Sequence, residues 1–279
     1  MKLTEIRQLL DTHQIRLTKS LGQNFLHDGN QLRRMIAVAE VARDDPVLEI
    51  GPGLGPLTEL LLAKAKQVLA IEKDRRLVNL LERRMAAAPN LTLVHDDALD
   101  FLRRDRRDWS AWKVVANVPY SITSPLMVEL ALTERGPERL VVTLQLEVLR
   151  RLLAEPGTAD FGALTLLVGL QYEPRDWFKI PAACFFPAPD VESACVCLTR
   201  RSRPLLGRDE RATFVRLVKR AFTQRRKMML KLPKEEWPVE RLHAAFAQVG
   251  LIETVRAEAV SLEQFVKLTQ ALHTGARDS

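Results

Sequence analysis

Cysteine is scarce in this chain: three in 279 residues, at Cys184, Cys195 and Cys197. The odd number and the absence of metal-ligand spacing exclude a disulfide framework and argue against a zinc site. Cys195 and Cys197 lie two apart in an apolar run and share one face of a strand, so buried thiols in a reducing compartment are expected. Long apolar runs are missing too, and none approaches the ~18 residues of a membrane span. The opening, MKLTEIRQLLDTHQIRLTKS, is charged throughout and has no apolar signal core, and Glu5 and Asp11 count against a transit peptide. A cytoplasmic protein with no membrane and no metal partner is the expectation. Repeats and low-complexity tracts are absent. Glycine is sparse, at 12 residues, yet three of them fall within five positions.

What is present is ordinary in bulk and biased in charge. Apolar residues make up 47% and charged residues 28%, a balance that supports a packed core rather than disorder. The length suffices for one large domain and a small one. Lys and Arg outnumber Asp and Glu by 42 to 35, a formal charge of +7. Such an excess favours polyanionic partners, because each neutralised phosphate releases counterions. A solvated basic surface accounts for it equally well.

Short apolar runs recur along the first two-thirds of the chain. Residues 46–50, 68–71, 91–94, 113–116 and 140–144 read as five buried strands, with 164–170 and 193–198 as candidates for a sixth and seventh. Helical patterns at 57–65, 75–87 and 125–133 alternate with them, which is the signature of a parallel sheet covered by helices on both faces. After about Arg200 the pattern changes. Residues 201–207 read as a linker, followed by helix-like stretches near 209–223, 239–249 and 261–273 with no clear strand. The reading is an α/β domain over 1–200 and a small helical domain over 205–279.

The glycine cluster is Glu49-Ile-Gly51-Pro-Gly53-Leu-Gly55, placed where the first strand ends and a helix begins. Glycine there permits a tight turn and close backbone approach to a ligand. The pattern is E-x-G-x-G-x-G rather than G-x-G-x-x-G, and it resembles the first motif of S-adenosylmethionine methyltransferases. Glu72 ends the second strand, 21 residues after Gly51. A carboxylate at that place can accept bonds from both hydroxyls of a ribose. Asp97, with Asp96 as the adjacent alternative, follows the third strand. Either acid alone is more often a helix cap; it is the ordered spacing of loop, Glu72 and Asp97 that points to a nucleoside-bearing ligand.

After the fourth strand comes Asn117-Val118-Pro119-Tyr120, similar to the N-x-P-Y motif of amino-methylating enzymes. An exocyclic amine on adenine is a poor nucleophile because its lone pair is delocalised into the ring. The Asn117 side-chain oxygen and the Val118 carbonyl can each accept one of its N–H groups. Pro119 stiffens the turn so that the two acceptors converge, and Tyr120 offers a flat face for an extruded base. The activated methyl is the cofactor's, so the protein's part is positioning and electrostatics. A second aromatic pair lies in Cys184-Phe185-Phe186-Pro187; Phe185 is taken as the ring that stacks on the target base and Phe186 as packing.

Together these motifs resemble the ribosomal RNA adenine dimethyltransferases (the KsgA family) over nearly the whole chain, Thr18 to Leu272. Lys19-Ser-Leu-Gly-Gln-Asn-Phe-Leu26 looks like the family's K-x-x-G-Q-x-F-L, and residues 185–194 match its F-x-P-x-P-x-V-x-S-A. Ala221-Phe-Thr-Gln-Arg-Arg-Lys227 is close to A-F-x-Q-R-R-K, and Arg256-Ala-Glu258 with Ser261 and Phe265 matches the final helix. The resemblance implies a Rossmann-like class I methyltransferase sheet with a helical C-terminal domain that docks rRNA. It implies that S-adenosylmethionine is held by Asn24, the Leu26 backbone, Gly51, Gly53, Glu72, Asp97 and Asn117. It also implies that the product is a pair of adjacent dimethylated adenosines near the 3′ end of small-subunit rRNA, within an assembling subunit, with a monomer as the default. Arg220, Arg225, Arg226 and Lys227 are the expected RNA contacts, in a basic set that includes Arg216 and Lys219; any one of them alone reads as a solvated helix face. Leu146, Ala163 and Met228 to Lys231 depart from the family pattern at positions that bear on substrate docking. Two other readings share the motifs: the large-subunit rRNA methyltransferases of macrolide resistance, and a nucleic-acid-binding assembly factor that keeps the fold without the chemistry.

Overall fold

The structure is a computed structural model and describes residues 1–17, 22–224 and 227–274. In chain order the elements are α1 (Leu3–Thr12), β1 (Phe25–Leu26), α2 (Gly29–Val38), β2 (Pro46–Ile50), α3 (Pro56–Leu62), β3 (Gln67–Glu72), α4 (Arg75–Arg84), β4 (Leu91–His95), α5 (Ala98–Arg104), β5 (Lys113–Ala116) and α6 (Tyr120–Leu132). There follow β6 (Arg139–Gln145), α7 (Leu146–Leu152), α8 (Ala163–Gly169), β7 (Tyr172–Ile180), β8 (Phe185–Phe186), β9 (Ser193–Arg200), α9 (Arg208–Ala221), α10 (Val239–Val249) and α11 (Leu262–Thr274).

The apolar runs become the middle of one seven-stranded sheet of order β4-β3-β2-β5-β6-β9-β7. Strands β2 to β6 pair in parallel, and β9 returns antiparallel to β6 with Thr143 opposite Cys195. Val47, Val68, Val114, Val115, Val141 and Val142 are fully buried. Their branched side chains suit a pleated sheet covered on both faces. The chain runs from β2 outward to β3 and β4, then crosses back to β5 and β6. The direction of winding therefore reverses between β2 and β5, and ligands of open α/β sheets bind beyond the strand ends at such a point.

Residues 164–170, expected as a sixth strand, form helix α8 instead. A seven-residue apolar run carries no periodicity that separates a buried helix from a buried strand. The Gly162 N–H donates to Thr165 Oγ1 at 3.1 Å, which caps the first turn. The strand that the apolar criterion missed is β7, whose sequence YEPRDWFKI is mostly exposed. It is the last strand of the sheet order, and edge strands tolerate both charge and a proline such as Pro174.

By packing, the chain divides into two units: Met1–Leu149 with Glu173–Arg200, and Arg150–Tyr172 with the residues from Arg201 onward. The sequence reading put 150–172 in the first domain. Those residues belong to the second unit because α8 packs on α9, and because Arg201 donates from its backbone to Gln171 O and from its side chain to Gly169 O, at 2.8 and 2.9 Å. Phe214, Phe222 and Phe265 pack together in the core of this helical unit. None of its described helices, nor any other described helix, is long and apolar enough to cross a membrane.

Candidate active site

The ends of β2, β3, β4 and β5 border one cleft. Gly51, Gly53, Glu72, Asp96, Asp97, Asn117 and Pro119 line it, together with Asn24 from the segment before β1. Residues separated by nearly a hundred positions thus meet at the reversal of the sheet.

At Gly53 and Gly55 the glycine loop has no room for side chains. Gly53 has φ +60°, and a Cβ there would lie 2.8 Å from the Phe25 ring. Gly55, at φ +87°, abuts Leu81 and Met85 while it starts α3. Its neighbour Pro56, at the first helical position, has a preset φ that suits the turn. The outcome is a backbone loop pressed against the cleft: a Cβ built on Gly51 would come within 3.5 Å of Pro119 Cδ, so the loop and the N-V-P-Y segment are neighbours.

Glu72 is buried, and its carboxylate accepts backbone N–H groups: Oε1 from Asp74 at 2.9 Å and Oε2 from Gly53 at 3.2 Å, with a smaller contribution from the Lys73 N–H. Burial pushes its pKa up, and the N–H groups oppose that rise without cancelling it. Acceptor capacity is left on the carboxylate beyond these bonds. Glu49, one strand over, is fully buried and pushed up to about 8 by burial, so it is neutral at pH 7; Thr58 lies beside it without good hydrogen-bond geometry. A neutral carboxyl avoids the cost of a charge within the sheet.

Asp97 is an N-cap as well as a cleft residue. Its Oδ1 accepts from the N–H groups of Leu99 and Asp100 at 2.9 and 3.3 Å, and its Oδ2 meets Lys73 at 2.8 Å. The Lys73 contact, followed by the two N–H groups, holds its carboxyl below the usual range. Asp96 pairs with Arg104 and accepts the Asp97 N–H.

At the other end of the cleft, Asn117 is held at both ends of its carboxamide. Nδ2 donates to the Asn24 carbonyl at 2.8 Å, and Oδ1 accepts from the Thr143 hydroxyl at 2.7 Å. Val118 is buried, and Pro119 leads into α6. The Tyr120 hydroxyl meets Ser193 Oγ at 2.5 Å, and partial burial raises its pKa.

Four expected catalytic or cofactor-binding residues are not among those lining the cleft: Val118, Tyr120, Phe185 and Leu26. The Phe185 ring is 3% exposed and packs in the core with Leu26, Met35 and Ile36, so it presents no face to a base. Phe186 is the more exposed of the two and packs beside Leu77 and Arg7. Leu26, expected to meet the cofactor through its backbone, pairs with Phe185 across the two-stranded β1–β8 sheet and does not line the cleft. Sequence spacing fixes neither outcome, because F-F alternation leaves open which ring faces inward. Conversely, Phe25, Ile71, Lys73 and Leu77 line the cleft without having been singled out. Their only sequence signal is adjacency to Asn24, Glu72 and the start of α4.

In the helical unit Arg220 is already engaged. It meets Glu236 at 2.9 Å and Glu235 at 3.0 Å, while Arg216 lies 3.6 Å from Glu236 and over the Trp237 ring. Lys227 is exposed. Arg225, Arg226 and Lys19 to Leu21 lie outside the described residues.

A family model described as ribosomal RNA adenine dimethylase matches residues 14–274. The chain belongs to that family. It is 41% identical over 265 residues to "Ribosomal RNA small subunit methyltransferase A" of Magnetococcus marinus, covering 94% of each chain. Among solved structures it resembles a dimethyladenosine transferase from Plasmodium falciparum, with TM-score 0.74 and 25% identity, covering 88% of this chain and 95% of that one. It also resembles the 23S rRNA methyltransferase ErmE, with TM-score 0.65 and 30% identity, covering 89% and 99%. The fold is accordingly that of an α/β methyltransferase built on this sheet.

Proposed function

We propose that this chain transfers methyl groups from S-adenosylmethionine to the exocyclic amines of two adjacent adenosines near the 3′ end of small-subunit rRNA, during assembly of that subunit in the cytoplasm. The observation that carries the reading is the convergence of the glycine loop, Glu72, Asp97 and Asn117 on one cleft at the sheet reversal. The donor set fits the cofactor. The Glu72 carboxylate, with acceptor capacity left over, suits the ribose hydroxyls; Asp97 suits the adenine amine; and the backbone of Gly51 and Gly53 suits the amino acid end. When bound, S-adenosylmethionine supplies a methyl group activated by its sulfonium.

The chain's own residues then act on the target. Asn117 Oδ1 and the Val118 carbonyl accept the two N–H groups of the amine, drawing the nitrogen toward a tetrahedral shape with its lone pair aimed at the methyl. Pro119 keeps the two acceptors convergent, and Tyr120 supports the base. The helical unit, with Arg225, Arg226 and Lys227, docks the rRNA, and the protein works as a monomer.

The likeness to a 23S rRNA enzyme gives the experiment its second arm. Labelled methyl from S-adenosylmethionine is offered to unmethylated small subunits and, in parallel, to large subunits. Label on small-subunit adenines is expected. Label on large subunits alone transfers the chain to the other branch, and label on neither leaves an assembly factor without the chemistry.

A further inference from the structure

We infer that Thr143 is a positioning residue for the methyl transfer, fixing the Asn117 carboxamide so that Oδ1 faces the target amine; this rests on the role proposed for Asn117. Thr143 lies in the middle of β6 and is fully buried. Its neighbours are apolar: Val142 and Leu144 on its own strand, and Cys195 directly across on β9. A hydroxyl in such surroundings is costly without a partner. Its hydrogen bond is to Asn117 Oδ1, at 2.7 Å.

The direction of that bond follows from the other end of the amide. The Asn24 carbonyl, 2.8 Å away, can only accept, so it must face Nδ2. Oδ1 then points at Thr143, and the hydroxyl is the donor. Rotation about the last torsion of an asparagine is soft, with broad wells. Held by Asn24 alone, the amide would rest on one bond against that soft torsion. The second bond, from a different strand, restrains the oxygen directly. It uses one of the two lone pairs on Oδ1 and leaves the other for the substrate. The two anchors come from the segment before β1 and from β6, so the acceptor is set by the fold rather than by its own turn.

The test uses the full-length protein with Thr143→Val, which keeps the shape and removes the donor, Thr143→Ser, which keeps the donor, and Asn117→Ala. Single-turnover transfer to unmethylated small subunits is measured at saturating S-adenosylmethionine, alongside cofactor Kd, subunit KM and Tm. The Val variant is expected to lose about tenfold in rate, the scale of one hydrogen bond. Cofactor Kd and subunit KM should stay within about twofold, since ground-state binding does not use the freed lone pair. The Ser variant should recover the rate. In the free protein, the Asn117 side-chain NH₂ resonances, assigned by their loss in Asn117→Ala, should shift or broaden with Val and return with Ser. A Val variant with full rate and unchanged NH₂ resonances would overturn the inference. So would a loss of rate that tracks a loss of Tm and is not rescued by Ser, because that is packing alone. If Asn117→Ala itself keeps full rate, the reading of Asn117 falls and takes this inference with it; if only Asn117→Ala is impaired, Asn117 stands and Thr143 does not.

Discussion

The cleft at the sheet reversal and the basic end of α9 treat charge in opposite ways. In the cleft, Glu72 is buried with only backbone N–H groups bonded to it, and acceptor capacity is left over. On α9, the Arg220 guanidinium is exposed, yet it already meets Glu235 and Glu236 of the same chain. The buried group keeps acceptor capacity available for a ligand, and the exposed group has spent its charge on its neighbours. What matters for binding is the unspent capacity of a side chain, and neither its exposure nor its formal charge measures that.

The contrast is broken most forcefully at Asn117. Replacing it with Ala removes an acceptor required only when the amine pyramidalises. The rate of methyl transfer is expected to fall roughly 10²- to 10³-fold, the cost of deleting one preorganised group at a reacting centre. Tm should fall somewhat, because the buried Thr143 hydroxyl loses its partner, so the rate is read well below the Tm of the variant. An Asn117→Ala enzyme with a near-normal single-turnover rate would mean that the amine is oriented by other groups.

Glu72→Gln is expected to have the next largest effect. The amide keeps the shape but loses the charge and one acceptor, so cofactor Kd should rise roughly ten- to hundredfold by calorimetry, as for charge-assisted bonds. The pH dependence has a definite sign. Ribose binding needs the carboxylate, and burial has raised the Glu72 pKa. Affinity of the unaltered protein should therefore fall as pH drops through that raised pKa, at a higher pH than an exposed glutamate would cause. The Gln variant should show no such fall. A wild-type affinity that stays flat down to the ordinary glutamate range would contradict the account.

The motifs that identify the cleft were legible because each is local. Gly51 to Gly55 is one turn, Glu72 ends a strand, and Asn117 to Tyr120 is one tetrapeptide, so chain order alone lines them up. Thr143 was not legible. It sits 26 residues from Asn117 in a run that reads simply as buried strand, and only the parallel pairing of β5 with β6 brings the two together. Phe185 failed for a related reason: two adjacent phenylalanines differ only in which face the short β1–β8 pairing turns inward. Strand β7 was hidden because an edge position removes the apolar signal a central strand must carry, while α8 was mistaken for a strand because a seven-residue, mostly apolar run is too short to show the helical period.

On the basic side, neutralising Arg225, Arg226 and Lys227 together should weaken rRNA binding and lower the slope of log K against log salt by roughly 2–3, if each contacts a phosphate. Filter binding at a series of salt concentrations reads this directly, and an unchanged slope would remove the assignment.

The smallest effect is expected from the ion pairs themselves. Glu235→Gln with Glu236→Gln releases Arg220 and Arg216 without adding a positive side chain. If those guanidiniums are withheld from RNA by their carboxylates, the double variant should bind a few-fold more tightly and its salt slope should steepen by about 1. Arg220→Ala, which deletes a cation already neutralised, should lower the slope by less than Lys227→Ala does. Removing negative charge near a polyanion raises affinity whatever the arginines do, so the affinity change alone decides nothing. The slope separates the two causes, because only a new phosphate contact releases further counterions.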